Sequence, residues 1–457
     1  MLQEYIINRA KVLTENRFGN MSYKGIRLCQ IVEDKLYWHI MEDPVIEELF
    51  RTDSMDVNED LIDGVINRKL DHIKNYSLKF PFQVIKDVMC WLISVLKSRT
   101  QESVDVVIPV NQPKFFAYTK KIMDRLEQKG LVVKYYAFSK AKIALKEGYD
   151  SRFLKEKREF PNFWNPAYFH SASACRAIDK ILGTWNHYNP GKALIVEGDT
   201  SMLHVIGFVS RLTSCETYCL QWGSVGTSVP KTGWRNMPFD RFLAWGEFFR
   251  EGMEEYNPDI RISVVGHPNI NDIRTGKSSS SPLIILFAVQ KVMRPFIIEA
   301  DLDLFIDTAI KTAGKMPEYL IRIRSHPNYP IPDQMKKKNA HIRNIEWHDY
   351  FNFTLDESLQ NTRVCVTVSS TLSFEALNYG AVPVYLKVNE IDLYLHRMED
   401  RFKSITNGEV SHVAEPSDIV DVIRKMDSLN LKSFDAGYFF KNVGDEAVEN
   451  IVAELIK

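Results

Sequence analysis

Three clusters of polar side chains in this chain have the types and spacing of a chemical site. The first is Ser369-Ser370-Thr371, in the stretch VCVTVSSTLSFEALNYGAVPVYL over residues 364–386. Residues 363–368 are rich in β-branched side chains, as a buried strand is. The hydroxyls stand where a short helix should begin. Gly380 stops that helix, and Pro383 lies just beyond it. Hydroxyls and free N–H groups at a helix start, at the carboxyl end of a strand, suit an anion such as a phosphate. The second cluster is Arg324-Ser325-His326-Pro327, after the apolar strand YLIRI. An imidazole there can pair with phosphate or protonate a leaving oxygen near neutral pH, and the proline fixes the turn. The third is VEGDT over 196–200, where Glu197 and Asp199 flank a glycine between a strand and a helix. A carboxylate so placed can deprotonate a hydroxyl in step with its attack. Equally, Asp199 or Thr200 can cap the helix.

The elements that must position these clusters read as α/β. With 457 residues the chain exceeds one ordinary core, so two domains are expected. From about residue 104, strands over 104–110, 131–138, 193–196, 216–220 and 263–265 alternate with helices over 114–129 and near 202–212. Such alternation implies a parallel sheet with right-handed crossovers. Residues 266–282, GHPNINDIRTGKSSSSP, have the composition of a linker. A second pattern follows, with strands over 283–289, 319–323, 344–348, 363–368 and 383–387 and a helix near 303–313. Upstream, 41–50, 60–73 and 80–97 have helical spacing. The expected organisation is a mostly helical N-terminal segment over 1–103 packed on the first domain, and a Rossmann-like domain over 104–270. A linker over 271–282 and a second Rossmann-like domain over 283–457 complete it. Two doubly wound domains would face each other across a cleft. Ligands of open α/β sheets sit beyond the carboxyl ends of the strands, which is where all three clusters fall.

Composition narrows the function. Hydrophobic content of 45% and charged content of 26% are those of a globular domain. A formal net charge of −1 argues against nucleic acid as a partner, because phosphate-backbone binding wants a basic excess. The 6 cysteines form no CxxC pair, so buried structural thiols in a reducing cytoplasm are expected. The opening MLQEYIINRAKVLTENR is amphipathic and charged, unlike a secretory signal. The most apolar run, 88–96, is too short to span a bilayer. The expected location is the cytoplasm, or at most the inner face of the membrane.

Other residues carry weaker signals. In 220–231, LQWGSVGTSVPK, Gln221 could hydrogen-bond a sugar and Trp222 could stack on one. His267 stands at the domain junction. Lys291 or Arg294, after the first strand of the second domain, could neutralise ligand charge. Residues 155–168, KEKREFPNFWNPAY, join a charge run to an aromatic turn and read as an acceptor platform, a membrane-surface patch or ordinary packing. The only Asp-x-Asp triplet, Asp301-Leu302-Asp303, opens a helix and reads as a cap, so no metal is expected.

The ordered set resembles GT-B glycosyltransferases, and within them the bacterial sialyltransferases and Kdo transferases that use CMP-activated sugars. Their His-Pro and Ser-Ser or Ser-Thr motifs match His326-Pro327 and Ser369-Ser370. The resemblance implies that His326 contacts the CMP phosphate or acts as its general acid. Ser369 and Ser370 would hold that phosphate, with Pro327 and Thr371 as further binding candidates in the same two turns. In those sialyltransferases a carboxylate between the two motifs binds ribose, and Glu346 in NIEWHDYF holds that place. Many nucleotide-sugar GT-B enzymes instead use a Glu on the helix where Glu375 stands. The helix dipole favours an acid there in any case. The sialyltransferase base lies in an Asp/Glu-Asp-Gly motif. Here the order is Glu-Gly-Asp, which leaves both Asp199 and Glu197 open. VEGDT also resembles an element of non-hydrolysing UDP-GlcNAc 2-epimerases, which share the fold. Their Gly-Thr-Arg-Pro-Glu signature is absent, and SSTLSFEA replaces their Gly-Gly-x-x-Glu-Glu turn.

The resemblance covers residues of about 104–400. It implies a metal-independent transferase, without cofactor, that moves an acidic sugar (Kdo or sialic acid-like) from a CMP-sugar. The acceptor would be a surface glycan or glycolipid of lipopolysaccharide or capsule, reached by peripheral membrane contact. A UDP-sugar transferase or 2-epimerase-like enzyme is one alternative. A non-catalytic glycan- or nucleotide-binding subunit is another.

Overall fold

The computed structural model describes residues 2–52, 59–73, 80–96, 103–138, 152–198, 200–223, 232–270, 283–391, 402, 411–428 and 436–457. After a short antiparallel ribbon, β1 (Ser22–Tyr23) and β2 (Ile26–Arg27), come two six-stranded sheets, each wholly parallel. The first holds β3 (Val106–Val110), β4 (Val133–Ala137), β5 (Lys192–Val196), β6 (Glu216–Leu220), β7 (Arg241–Ala244) and β8 (Arg261–Val264), in the order β4-β3-β5-β6-β7-β8. The second holds β9 (Ile284–Ala288), β10 (Leu320–Arg324), β11 (Ile345–His348), β12 (Thr362–Thr367), β13 (Val382–Leu386) and β14 (Val413–Ala414). Its order is β11-β10-β9-β12-β13-β14.

The strands at the centre of each sheet are buried throughout, as in VVIPV and IILFA. Helices on both faces bury a parallel sheet twice over, so its strands read as continuous apolar runs rather than alternating ones. In each sheet the strand order reverses once, between β3 and β5 and between β9 and β12. At those switch points neighbouring connections leave to opposite faces and open a crevice. The hydroxyl turn after β12 and the VEG turn after β5 both stand at a reversal.

The N-terminal helices are α1 (Leu2–Phe18), α2 (Leu28–Met41), α3 (Pro44–Arg51), α4 (Glu59–Ile73) and α5 (Phe80–Leu96). This segment joins the first domain's core, where Tyr23 donates to Asp179 at 2.9 Å. It also reaches the second domain. Arg51 pairs with Asp301 at 2.8 Å, Glu47 with Arg294 at 2.8 Å, and Phe50 meets Phe296 edge-on at 5.5 Å. The segment expected to pack on the first domain therefore touches both.

The last helix, Gly444–Ile456, lies within the range expected for the second domain but packs on the first. Val448, Ile451, Val452 and Leu455 share a core with Ile108, Ile122 and Leu126. Its polar side is tied down by Lys121–Asp445 at 3.0 Å and Arg241–Glu454 at 2.9 Å. An amphipathic helix must bury its apolar face, but its own pattern does not say which sheet will cover it. The domains also meet through aromatic rings: Phe374 lies 5.3 Å from Phe248 and 5.1 Å from Phe249.

Candidate active site

The hydroxyl turn after β12 is held from several sides. Gln290, after the neighbouring β9, accepts the Ser369 N–H on its Oε1 at 2.5 Å, and its Nε2 lies 3.4 Å from Ser369 Oγ. Ser370 N–H donates to Thr367 Oγ1, and Ser370 Oγ accepts from Leu372 N, each at 3.3 Å. Ser373 Oγ donates to the Ser370 carbonyl at 2.7 Å and lies 2.8 Å from the Tyr385 hydroxyl. Ser369, Ser370 and Thr371 stay half-buried at the surface of this frame. A ligand would therefore find them already ordered.

His326 follows β10, and Pro327 lies in the turn closed by the Tyr329 N–H to His326 O bond at 2.9 Å. The His326 Nδ1 accepts the Asn328 N–H at 3.0 Å. In the neutral ring the proton must then sit on Nε2, the nitrogen left to donate. Burial pushes this imidazole down to about 4, and the Lys291 and Lys114 charges push the same way. Lys291 belongs to the loop after β9 of the second domain. Lys114 opens α6 (Lys114–Gln128), which follows β3 in the first domain. Both domains thus direct positive charge at one imidazole. The Lys114 Nζ lies 4.5 Å from the Trp222 ring centroid and 5.0 Å from that of Phe115. Trp222 packs edge-on against Phe115 and Tyr118 at 5.0 and 4.7 Å, which fixes the platform beneath that lysine.

Glu375 lies in the helix Leu372–Asn378 that follows the hydroxyl turn. Burial pushes its carboxyl up to about 7, Arg324 opposes this, and Asp356 adds to it. The hydroxyl of Tyr118, on α6 of the first domain, is raised by burial and further by Glu375. A Cβ added at Gly223 would lie 3.4 Å from Thr371 Oγ1, so the Trp222-Gly223 turn comes against the hydroxyl turn.

On the first domain's side, Glu197 and Gly198 are both left-handed, with φ of 75° and 69°. Holding a non-glycine residue there costs about 1–3 kcal/mol, and such strain gathers at functional turns. The turn is fixed by Glu197 N–H to Leu220 O at 3.1 Å, and His204 Nε2 lies 2.9 Å from Gly198 O. Asp199 lies outside the described residues. Thr200 occupies the N-cap position of the next helix but makes no side-chain cap bond, and its hydroxyl oxygen is buried without a partner among the described residues. A Cβ at Gly198 would sit 2.3 Å from Cys219 Sγ. Gly198→Ala should therefore cost about 2–4 kcal/mol in urea unfolding, from backbone strain and overpacking together. Adding Cys219→Ala should recover the packing share alone, and equal stabilities of the single and double variants would contradict this.

Several expected residues are employed elsewhere. Glu346 lies on the edge strand β11, two residues short of its carboxyl end, opposite Arg322. It accepts from Arg322 Nε at 2.9 Å and lies 3.3 Å from His348 Nε2. Its carboxylate compensates a buried guanidinium, whereas Glu375 acts electrostatically on Tyr118 of the first domain. Gln221 is fully buried, with its Oε1 taking the Trp245 N–H and its Nε2 donating to Gly223 O, both at 2.9 Å. It shapes the turn instead of presenting an amide to a sugar. His267 lies 4.3 Å from the Trp245 ring at a tilt of 50°, and burial holds it down at about 3. Arg294 is paired with Glu47 and Glu299. Asp301 accepts the Ile298 N–H at 2.8 Å at its helix start. Residues 224–231 lie outside the described residues. Lys114 and Tyr118 were not expected. The rule that residues just after strands face the cleft, applied to the NQPK that follows 104–110, would have found Lys114.

No family model matches the chain, and no curated protein matches its sequence. Solved structures do match. The Acinetobacter baumannii MurG structure aligns over 77% of this chain and 99% of its own, with a TM-score of 0.51 at 10% identity. The lipopolysaccharide outer core galactosyltransferase WaaB aligns over 77% and 98%, with a TM-score of 0.48 at 12% identity. The Methanocaldococcus jannaschii UDP-GlcNAc 2-epimerase, solved with UDP-GlcNAc and UDP, aligns over 77% and 99%, with a TM-score of 0.47 at 14% identity. The two parallel-sheet domains and the MurG likeness establish that the chain has the GT-B fold.

Proposed function

We propose that the protein is a glycosyltransferase that moves a sugar from a nucleotide-sugar donor to a hydroxyl of a glycan acceptor. What supports this reading is that the charges of Lys291 in one domain and Lys114 in the other both act on His326, while the Trp222-Gly223 turn beneath Lys114 comes against the hydroxyl turn at Thr371. In glycosyl transfer the bond between the anomeric carbon and the donor phosphate breaks, and the phosphate keeps the electron pair. Donors and cations aimed at that oxygen stabilise the charge as it develops. The His326 Nε2–H, the three hydroxyls and the two lysines supply them. Asp199 or Glu197 takes the proton of the acceptor hydroxyl as its oxygen bonds to the anomeric carbon, or acts as nucleophile if configuration is retained. Closing the cleft keeps water from the donor.

The donor in this reading is a CMP-activated acidic sugar, Kdo or sialic acid-like, and the acceptor belongs to lipopolysaccharide or capsule. Its support is the pair His326-Pro327 and Ser369-Ser370. No metal or cofactor is needed, and the work would be done in the cytoplasm. A second reading, a UDP-sugar transferase or 2-epimerase-like enzyme, is favoured by the carboxylates: Glu346 is held by Arg322, while Glu375 acts electrostatically on Tyr118 of the first domain. Melting curves with CMP, CDP, UMP and UDP separate the two. A ligand at a hundred times its dissociation constant stabilises by about 2.7 kcal/mol. CMP should raise the melting temperature, and a rise with UDP but none with CMP would overturn the donor assignment.

A further inference from the structure

No helix among the described residues is long and apolar enough to cross a membrane, yet α5 leaves a whole apolar face open. Its only charged residues are Lys86 and Asp87, and Asp87 is buried. Phe82 is 76% exposed, Ile85 61%, Met89 51%, Ile93 46% and Leu96 79%. Steps of three and four residues place these side chains in one stripe along the helix. Beside the stripe an aromatic row runs outward. Trp91 meets Phe160 at 5.0 Å, Phe163 meets Trp164 at 5.0 Å, and Trp164 is 83% exposed.

The stripe borders a basic groove. A cavity of about 760 Å³ lies between α5, at Cys90, Ile93, Ser94 and Leu96, and the facing segment from Lys155 to Arg158. A second, of about 380 Å³, shares Cys90, Glu156 and Arg158 with it and adds Lys86, Arg176 and Lys180. Together the two are lined by Lys86, Lys155, Lys157, Arg158, Arg176 and Lys180 against only Asp87 and Glu156.

We propose that this face seats the protein on a membrane surface rich in anionic lipid. The stripe enters the boundary between headgroups and acyl chains, Trp164 sits at that depth, and the groove takes lipid phosphates. Charge selects this occupant. A second copy docked on the same patch about a two-fold axis would set the cations against their own images. A soluble polyanion would have no use for the stripe. The face lies outside the cleft, so the inference stands apart from the donor assignment.

Flotation of the full chain with phosphatidylcholine vesicles, with and without phosphatidylglycerol, tests it. Binding should require phosphatidylglycerol and weaken as salt rises. Lys86→Ala and Lys155→Ala should each lower vesicle affinity roughly five-fold. Phe82→Glu/Leu96→Glu should abolish binding while circular dichroism and melting show a folded protein. The Trp164 emission, isolated as the difference from Trp164→Phe, should shift to the blue with vesicles. Equal binding to both vesicle types, or none to either, would overturn the proposal. So would a concentration-dependent dimer that the double variant dissociates. The lipid comparison on the unaltered chain decides even if that variant fails to fold.

Discussion

Glu375→Gln should be more stable than the parent at pH 8 and equal to it at pH 4. Burial raises the Glu375 carboxyl from the ordinary range to about 7 in the folded protein, while Arg324 restrains the rise. The folded state therefore holds a proton that the unfolded chain has already released across that interval. Stability from the protonated group is fully present below the unfolded pKa and is lost as pH rises through about 7. Glutamine has the same shape and never ionises, so its advantage grows over that window to on the order of 2–3 kcal/mol. Urea unfolding at several pH values reads it directly. Donor affinity should move the other way, because a ribose hydroxyl bonded to a carboxylate is worth about 1.5–3 kcal/mol. A buried acid with no ligand would give the stability gain without the affinity loss. A stability difference that does not change with pH would show that the carboxyl ionises normally.

That pair of opposed effects also shows what the sequence could and could not place. The strands were readable because a parallel strand covered on both faces is a continuous apolar run, and VVIPV and IILFA are buried throughout. The hydroxyl turn was readable because it follows such a run and its helix stops at Gly380, which is left-handed at φ 71°. The two glutamates were not separable by the same means. Chain order put Glu346 between the two motifs, but the register opposite Arg322 on an edge strand decides its fate, and register comes from the whole sheet. The return of the helix Gly444–Ile456 to the first domain was hidden for a similar reason. Its apolar face fits any sheet, and only the assembled core chooses. Lys114 is the instructive omission. A lone lysine after a strand looks solvated, and only a neighbour from the other domain gives it a role.

His326→Ala should reduce kcat/KM for donor turnover about 10²–10⁴-fold, the range expected for loss of a positioned proton donor. The unliganded imidazole is neutral at pH 7, since burial, Lys291 and Lys114 hold it near 4. A donor phosphate seated between those groups reverses the balance, because it favours the protonated ring. Donor binding should then take up a proton. The affinity for a CMP-sugar, whose phosphodiester does not itself titrate in this range, should rise as pH falls between about 8 and 5. In His326→Ala that rise should be lost, leaving the opposite slope imposed as Glu375, held near 7, takes up its proton. His326→Gln keeps an N–H donor but cannot charge, so recovered binding without recovered kcat would assign the proton to the leaving oxygen. Lys114→Ala supplies the cross-domain check. Removing that charge should raise the His326 pKa in the free protein, as followed by NMR of the ring protons. A His326 titration indifferent to Lys114 would mean that the two domains do not share one phosphate seat, and the proposed leaving-group site would have to lie within the second domain alone.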